Sequence, residues 1–440
     1  MASPVTQERR SGRLAGPARA LAGARVSAGG RARQLLAYAA FAGPGLIAAN
    51  AGNDAGGIAT YASAGSQFRY RTLFFMVLVT IGLVVVQEMS TRLGAFTGKG
   101  LAALIREEFS IRLATFALGC LLLANLGLVV TEFAGVGAAF ELFGVPRYLT
   151  VPIAAVAIWA LVLFGSYRYA ERIFLVLSLA FLTYPIAAVL GHPHWGQVAS
   201  DTVLPHFLGS RDFVLLGVAL IGTTISPYMQ LYAAAGVVDR GIGPDEYRYE
   251  RIDAVSGAIF ANVVSMFIII ATAAAIGGHG PLNSAKEAAQ ALRPVAGPGA
   301  TLLFGMGLLG ASALAGAVVP LSTAYAVSEA VGAERSVSRR FNEAPVLLGL
   351  FTGQIVVGAA VALIPFNLIH LLIGTQVLQG LVTPVFLTFI LVLANRRDVL
   401  GDAANGRTFR KVAFVTVLAV GGLSLVLLGQ TVLGWLGLVH

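Results

Sequence analysis

Apolar stretches long enough to cross a bilayer recur from Ala39 to Leu438. A run of about twenty predominantly apolar residues makes a transmembrane helix, so the chain reads as an all-α polytopic membrane protein. Eleven spans are predicted, at roughly 39–65, 72–91, 113–140, 149–166, 173–191, 212–238, 254–277, 299–328, 344–365, 367–394 and 412–437. The charged fraction of 12% is about half that of an ordinary soluble domain. Residues 36–440 therefore read as one transmembrane domain. Residues 1–35 carry seven arginines against Glu8 alone, among Gly, Ala, Ser and Pro. No apolar stretch follows the first arginines, so this segment reads as a disordered basic tail beside the membrane, not a secretory signal. Cys120 is the one cysteine, which excludes an intrachain disulfide and a cysteine-built zinc site.

The net charge of +9 is explained by membrane orientation rather than by nucleic acid. Sorted by the predicted spans, 24 of the 30 Lys and Arg residues fall on the side of the N-terminus and 6 on the other. The larger group includes the tail arginines, Arg92, Lys99, Arg106, Arg240, Arg251, Arg340, Arg396 and Arg410; the smaller one is Arg69, Arg71, Arg147, Arg211, Lys286 and Arg293. Basic residues mark cytoplasmic loops. The expected arrangement is a plasma-membrane protein with its N-terminus in the cytoplasm and its C-terminus outside.

Two spans are interrupted. The first contains Asn50-Ala51-Gly52-Asn53-Asp54-Ala55-Gly56-Gly57. Its glycines weaken a helix, and Asp54 lies near mid-membrane, where a carboxylate is costly and functional by default. Gly52 and Gly56 also form a G-x-x-x-G pair, which would suit helix packing but leaves Asp54 unexplained. The sixth span holds Gly222-Thr223-Thr224-Ile225-Ser226-Pro227-Tyr228-Met229-Gln230, where Pro227 removes a backbone donor. Broken helices five spans apart indicate inverted repeats of five plus five (39–191 and 212–394), with a midplane site between helices 1 and 6. The eleventh span is then peripheral.

Glu132 lies mid-span, either on the same aqueous path as Asp54 or as a paired structural carboxyl. Gln87 and Glu88 are expected to reach water near the cytosolic end of span two. Gln376 and Gln379 are candidates to offer an amide oxygen, or to bond between helices. His192, His194 and His206 share one external loop, where solvated histidines are the simpler reading than a metal-gathering cluster. No H-E-x-x-H, G-x-S-x-G or Walker A motif occurs. The chain is therefore read as a non-enzyme, without cofactor, driven by ion gradients or membrane potential.

At these residues the chain resembles the Nramp family of divalent-metal transporters, from about residue 35 to 438. Gly43-Pro44-Gly45, and Arg92-Leu93-Gly94 through Thr97-Gly98-Lys99-Gly100-Leu101-Ala102, are similar to family segments. Asp54-Ala55-Gly56-Gly57 occupies the place of the family's Asp-Pro-Gly-Asn, and Ser226-Pro227-Tyr228 that of its Met-Pro-His. The resemblance implies a LeuT-like fold and a metal site of Asp54, Ala51, Gly57, Thr223, Ser226 and Gln376. Ala51 and Thr223 would act through their carbonyls, and Gln379 is the alternative to Gln376. Glu132 and Tyr228, with Gln379, would line a proton or secondary polar path. An amide, a thioether and a His are replaced by Gly57, Ser226 and Tyr228. The family's second His falls on Ala233 and its span-three Asp on Val129. The combination resembles the Nramp-related magnesium transporter branch. Oxygen ligands and water suit Mg²⁺, whereas thioethers favour softer metals.

The expected function is import of Mg²⁺, with Mn²⁺ also accepted, by alternating access and without proton coupling. The alternatives are a proton-coupled Mn²⁺/Fe²⁺ transporter, a Na⁺-coupled carrier of a small organic solute, and a structural or receptor protein with packing breaks. The partners expected are divalent metal ions and the lipid bilayer, with no nucleic acid and no obligate protein partner.

Overall fold

The structure, a computed structural model, describes residues 54–164, 176, 179–333, 343–365 and 367–435. The tail at 1–35 and the first half of span one, including Asn50, Ala51 and Asn53, lie outside the described residues.

The first described helix is α1 (Ala55–Phe68). It is followed by α2 (Leu73–Thr97), the short α3 (Leu101–Glu108), α4 (Ile111–Leu142) and α5 (Arg147–Leu163). Then come α6 (Thr183–Leu190), α7 (Trp195–Val203), and a pair interrupted between them, α8 (Arg211–Thr224) and α9 (Pro227–Asp239). Next are α10 (Tyr247–Ile276), the short α11 (Ala285–Ala289) and α12 (Arg293–Ala296), and α13 (Ala300–Val331). The chain closes with α14 (Pro345–Ala362), α15 (Leu368–Asn395), the short α16 (Arg397–Leu400) and α17 (Arg407–Trp435). Among the described residues, eight helical segments are long and apolar enough to cross a membrane, and Arg147–Leu163 and Leu179–Leu190 are shorter apolar helices. With α1, these correspond to the eleven spans.

The packing is that of an inverted repeat. α1 of the first half packs on α10 of the second, and its counterpart α9 of the second half packs on α2 of the first. α5 lies against α4 as α14 lies against α13, and the two long helices α4 and α13 pack on each other. Small residues permit the last contact: a Cβ on Gly135 of α4 would collide with Ser312 of α13, as expected where van der Waals packing drives helix association. α17 is largely exposed along its apolar length, Leu418 and Leu425 being 63% and 69% exposed. It suits a peripheral helix facing lipid.

The basic loops meet at one end. Arg92 bonds the Ala403 carbonyl at 3.0 Å and the Asn405 side chain, Arg396 bonds Glu108 at 2.9 Å, and Arg240 pairs with Glu250 at 2.6 Å. Glu88 differs from expectation. α2 runs on to Thr97, and the start of α10 folds over it, so Glu88 is 4% exposed rather than in water. It accepts from the Tyr247 hydroxyl at 2.9 Å and pairs with Arg92 at 3.3 Å and Arg251 at 3.7 Å. In the segment between α7 and α8, His206 meets Asp201 at 3.1 Å. Among the described residues no group of three His, Cys, Asp or Glu is placed to hold a metal.

Candidate functional site

The helix that Asp54 caps packs against the interrupted pair α8 and α9 at the end of α8. α8 stops at Thr224 and α9 starts at Pro227, a position where a missing N–H costs nothing. α1 starts at Ala55 with Asp54 as its N-cap, Oδ1 accepting from the Gly57 N–H at 2.5 Å. An aspartate is a favoured N-cap, but this one is only 2% exposed. Gln376 of α15 donates to the same Oδ1 at 3.1 Å. Glu132 of α4, fully buried, accepts from the Ala55 N–H through Oε2 at 3.4 Å. Two carboxyl groups thus share the N-terminal end of α1, where the helix dipole favours negative charge. Among the described residues no Lys or Arg pairs with either. Buried carboxylates are costly unless a charge partner is found, so the pair favours a cation.

The oxygens around Asp54 are arranged accordingly. An ionised carboxylate only accepts hydrogen bonds, so Gln376 turns its NH₂ to Asp54, and its Oε1 is buried without a partner among the described residues. Glu132 Oε1 is likewise buried without one. The carbonyls at the end of α8 lack helical partners. Ser226 Oγ covers one of them, donating its proton to Gly222 O at 2.5 Å, with Thr223 O next nearest at 3.4 Å. Thr383 Oγ1 covers another, Ile225 O, at 3.3 Å. Tyr61 hydroxyl and Thr224 Oγ1, 3.2 Å apart, join α1 to the end of α8.

Glycines set these helices close enough. A Cβ on Gly222 would collide with the Gln376 carbonyl O and stand 2.5 Å from Gly380 N. A Cβ on Gly56 would strike the Gln376 side chain. Gly56 therefore serves the approach of Gln376 to Asp54.

The other predicted residues are distributed as follows. Gly57 meets Asp54 through its N–H, and Ala51 is outside the described residues. Tyr228 is 3% exposed, in an apolar cluster with Val129 and Phe133. Gln379 does not reach Asp54; it donates to Asn125 Oδ1 at 3.1 Å. Asn125, Thr323, Thr383 and the bonded pair Thr131–Thr375 were not singled out from the sequence. Asn125 was findable, because it lies mid-span in Leu121-Leu122-Leu123-Ala124-Asn125-Leu126. The threonines satisfy their own helices and give no such signal.

A polytopic bundle of five-plus-five repeats, with an interrupted helix in the second repeat and a helix that starts at buried carboxyls in the first, is the architecture of a secondary transporter. The family model described as natural resistance-associated macrophage protein-like matches residues 45–430, and the chain belongs to this Nramp family. It is 30% identical over 423 residues to the divalent metal cation transporter MntH of Ralstonia nicotianae, covering 90% of this chain and 91% of that one. It is 29% identical to MntH 1 of Pseudomonas aeruginosa, covering 90% and 93%. In fold it is similar to the manganese transporter of Eremococcus coleocola, with a TM-score of 0.73 at 22% identity over 94% of this chain and 90% of that one. The nucleobase-cation-symport-1 family transporter MHP1 shares the fold at a TM-score of 0.55 and 17% identity, covering 87% and 90%.

Proposed function

We propose that this protein imports divalent metal cations across the plasma membrane by alternating access, carrying Mg²⁺ and also Mn²⁺, without proton coupling. The observation that carries the reading is Asp54, a buried N-cap carboxylate bonded to Gln376 and sharing a helix end with Glu132. Its relatives named as divalent-metal and manganese transporters support the divalent class. The reading extends the ligand set to the carbonyls of Ala51 and Thr223, with Ser226 and Gly57 leaving room for a partly hydrated ion. Mg²⁺ keeps several waters and takes oxygen ligands, and neither a thioether nor an imidazole lies at the positions that would favour a softer metal.

The absence of proton coupling is inferred from three positions. Val129, where the family resemblance places an acid, is fully buried among apolar side chains. Tyr228 and Ala233 stand where it places histidines. Glu132 remains as the one candidate proton carrier. A divalent ion gains about twice the ~2.3 kcal/mol per charge that a 100 mV inside-negative potential supplies, which concentrates it without protons.

The experiment is a panel of Mg²⁺, Mn²⁺, Ca²⁺ and Na⁺ uptake into proteoliposomes, with a pH-sensitive dye inside. Mg²⁺ and Mn²⁺ are expected to enter with no change of internal pH. Acidification that tracks metal uptake and disappears in Glu132→Gln would show a coupled carrier with Glu132 as its proton site.

Selectivity is expected to follow the ligands. Gly57→Asn combined with Ser226→Met should shift the ratio of Mg²⁺ to Mn²⁺ uptake towards Mn²⁺. An unchanged ratio in a folded double variant would remove ligand loss as the cause. For orientation, single cysteines placed in a Cys120→Ser background are expected to label from outside at Val439 and only after permeabilisation at Ser3. Outside labelling at Ser3 would reverse the topology.

A further inference from the structure

Beyond the site at Asp54, a second polar group crosses the bundle. Thr323 of α13, Asn125 of α4 and Gln379 of α15 are all fully buried. Thr323 Oγ1 donates its one proton to Val319 O at 2.9 Å. It therefore accepts from Asn125 Nδ2, at 2.7 Å. That turns Asn125 Oδ1 to Gln379, whose Nε2 donates to it at 3.1 Å. The chain of donors leaves Gln379 Oε1 buried as an acceptor without a partner among the described residues. A buried acceptor left without a partner is unfavourable, and packing alone does not explain why it is kept.

Its position lies along a path. Gln379 is three residues beyond Gln376, about 4.5 Å along α15. Asn125 is seven residues before Glu132, about 10 Å along α4. Both steps lead towards the basic end, since α15 runs into Arg396 and α4 begins beside Arg112. Asn125 also sits at the seam between two apolar clusters, with Ala124 in one and Leu128 in the other.

We infer that Asn125, Gln379 and Thr323 form a second cation station on the inner side of Asp54, which takes a hydrated divalent ion through its water ligands. The water ligands of such an ion are strong hydrogen-bond donors, and Gln379 Oε1 is the acceptor that meets them. The station carries no charge. It therefore holds the ion weakly enough for release, as conduction through successive sites requires. This inference rests on the divalent-metal reading above, and its test separates the two.

Gln379→Leu and Asn125→Leu are each expected to lower Mn²⁺ turnover in proteoliposomes by about five- to tenfold, the effect of losing one hydrogen-bonding partner. The Mn²⁺ concentration for half-maximal uptake should stay within about twofold, because Asp54 is intact. The exchange Asn125→Gln with Gln379→Asn keeps both amides and should recover part of the turnover, which separates lost chemistry from a damaged fold. A binding measurement is independent of transport. Asp54→Ala should bind no Mn²⁺ by electron paramagnetic resonance, whereas Asp54→Ala with Gln379→Glu, which charges the station, should bind one. Normal turnover in both leucine variants would overturn the station, as would Mn²⁺ failing to bind the charged double variant. If the wild type moves no divalent metal, the transport reading fails, and the binding arm alone still decides whether the station takes a cation.

Discussion

Asp54→Ala is expected to abolish divalent-metal uptake while the protein still inserts and purifies. Asp54 is the carboxylate that caps the start of α1, held by the Gly57 N–H and by Gln376. A unit pair 4 Å apart is worth about 4 kcal/mol at an effective dielectric of about 20. A divalent ion feels twice the charge, so losing it should cut uptake by more than about a hundredfold. The fold should tolerate the change, since losing an N-cap typically costs about 1 kcal/mol. Asp54→Asn sharpens the comparison by removing the charge while keeping an oxygen for the Gly57 N–H. Uptake should be lost in both variants, with little change of melting temperature in Asp54→Asn. Normal Mg²⁺ or Mn²⁺ uptake by either variant, at matched reconstitution, would show that the ion binds elsewhere.

Gly222→Ala is expected to be strongly damaging for a single added methyl group. Its Cβ would collide with the backbone carbonyl of Gln376, and a backbone atom cannot swing aside as a side chain can. Either α8 and α15 separate or the pair distorts. Overpacking of this kind typically destabilises by about 1–3 kcal/mol, and occasionally more; a clash with backbone belongs at the upper end. Separation would also draw Gln376 from Asp54, so metal affinity should fall together with stability. Gly236→Ala is the control, because nothing lies within 4 Å of the added carbon. Equal melting temperatures for the two variants in detergent would mean that the close approach of α8 and α15 is not needed.

The two variants probe different kinds of information. The loss in Asp54→Ala follows from a local rule, that a carboxylate at membrane depth does chemistry. The loss in Gly222→Ala depends on which helix lies across that glycine, and no local rule names α15.

Much of the architecture was legible because its signals are local. A bilayer imposes apolar length, so spans can be counted. Proline beside hydroxyl residues marks the break between α8 and α9, and aspartate among glycines marks the start of α1, whereas Pro152, Pro320 and Pro384 lie inside continuous helices. The uneven Lys and Arg content of the loops fixes which ends share a side, and Arg92 meeting Asn405 and Arg396 meeting Glu108 agree with that sorting.

Tertiary packing decided the partners. Gln376 and Gln379 are equivalent as letters, and only the height of α15 against the α1 break gives Asp54 to the first and Asn125 to the second. Ser226 holds its own helix end because the carbonyls freed by Pro227 are its nearest acceptors. Glu88 lost its water because α10 begins seven residues before the predicted span and covers it. Hydropathy depends on each residue and its neighbours in the chain. A hydrogen bond depends on the rotation and offset of two helices that are distant in sequence, which are set only when the whole bundle packs.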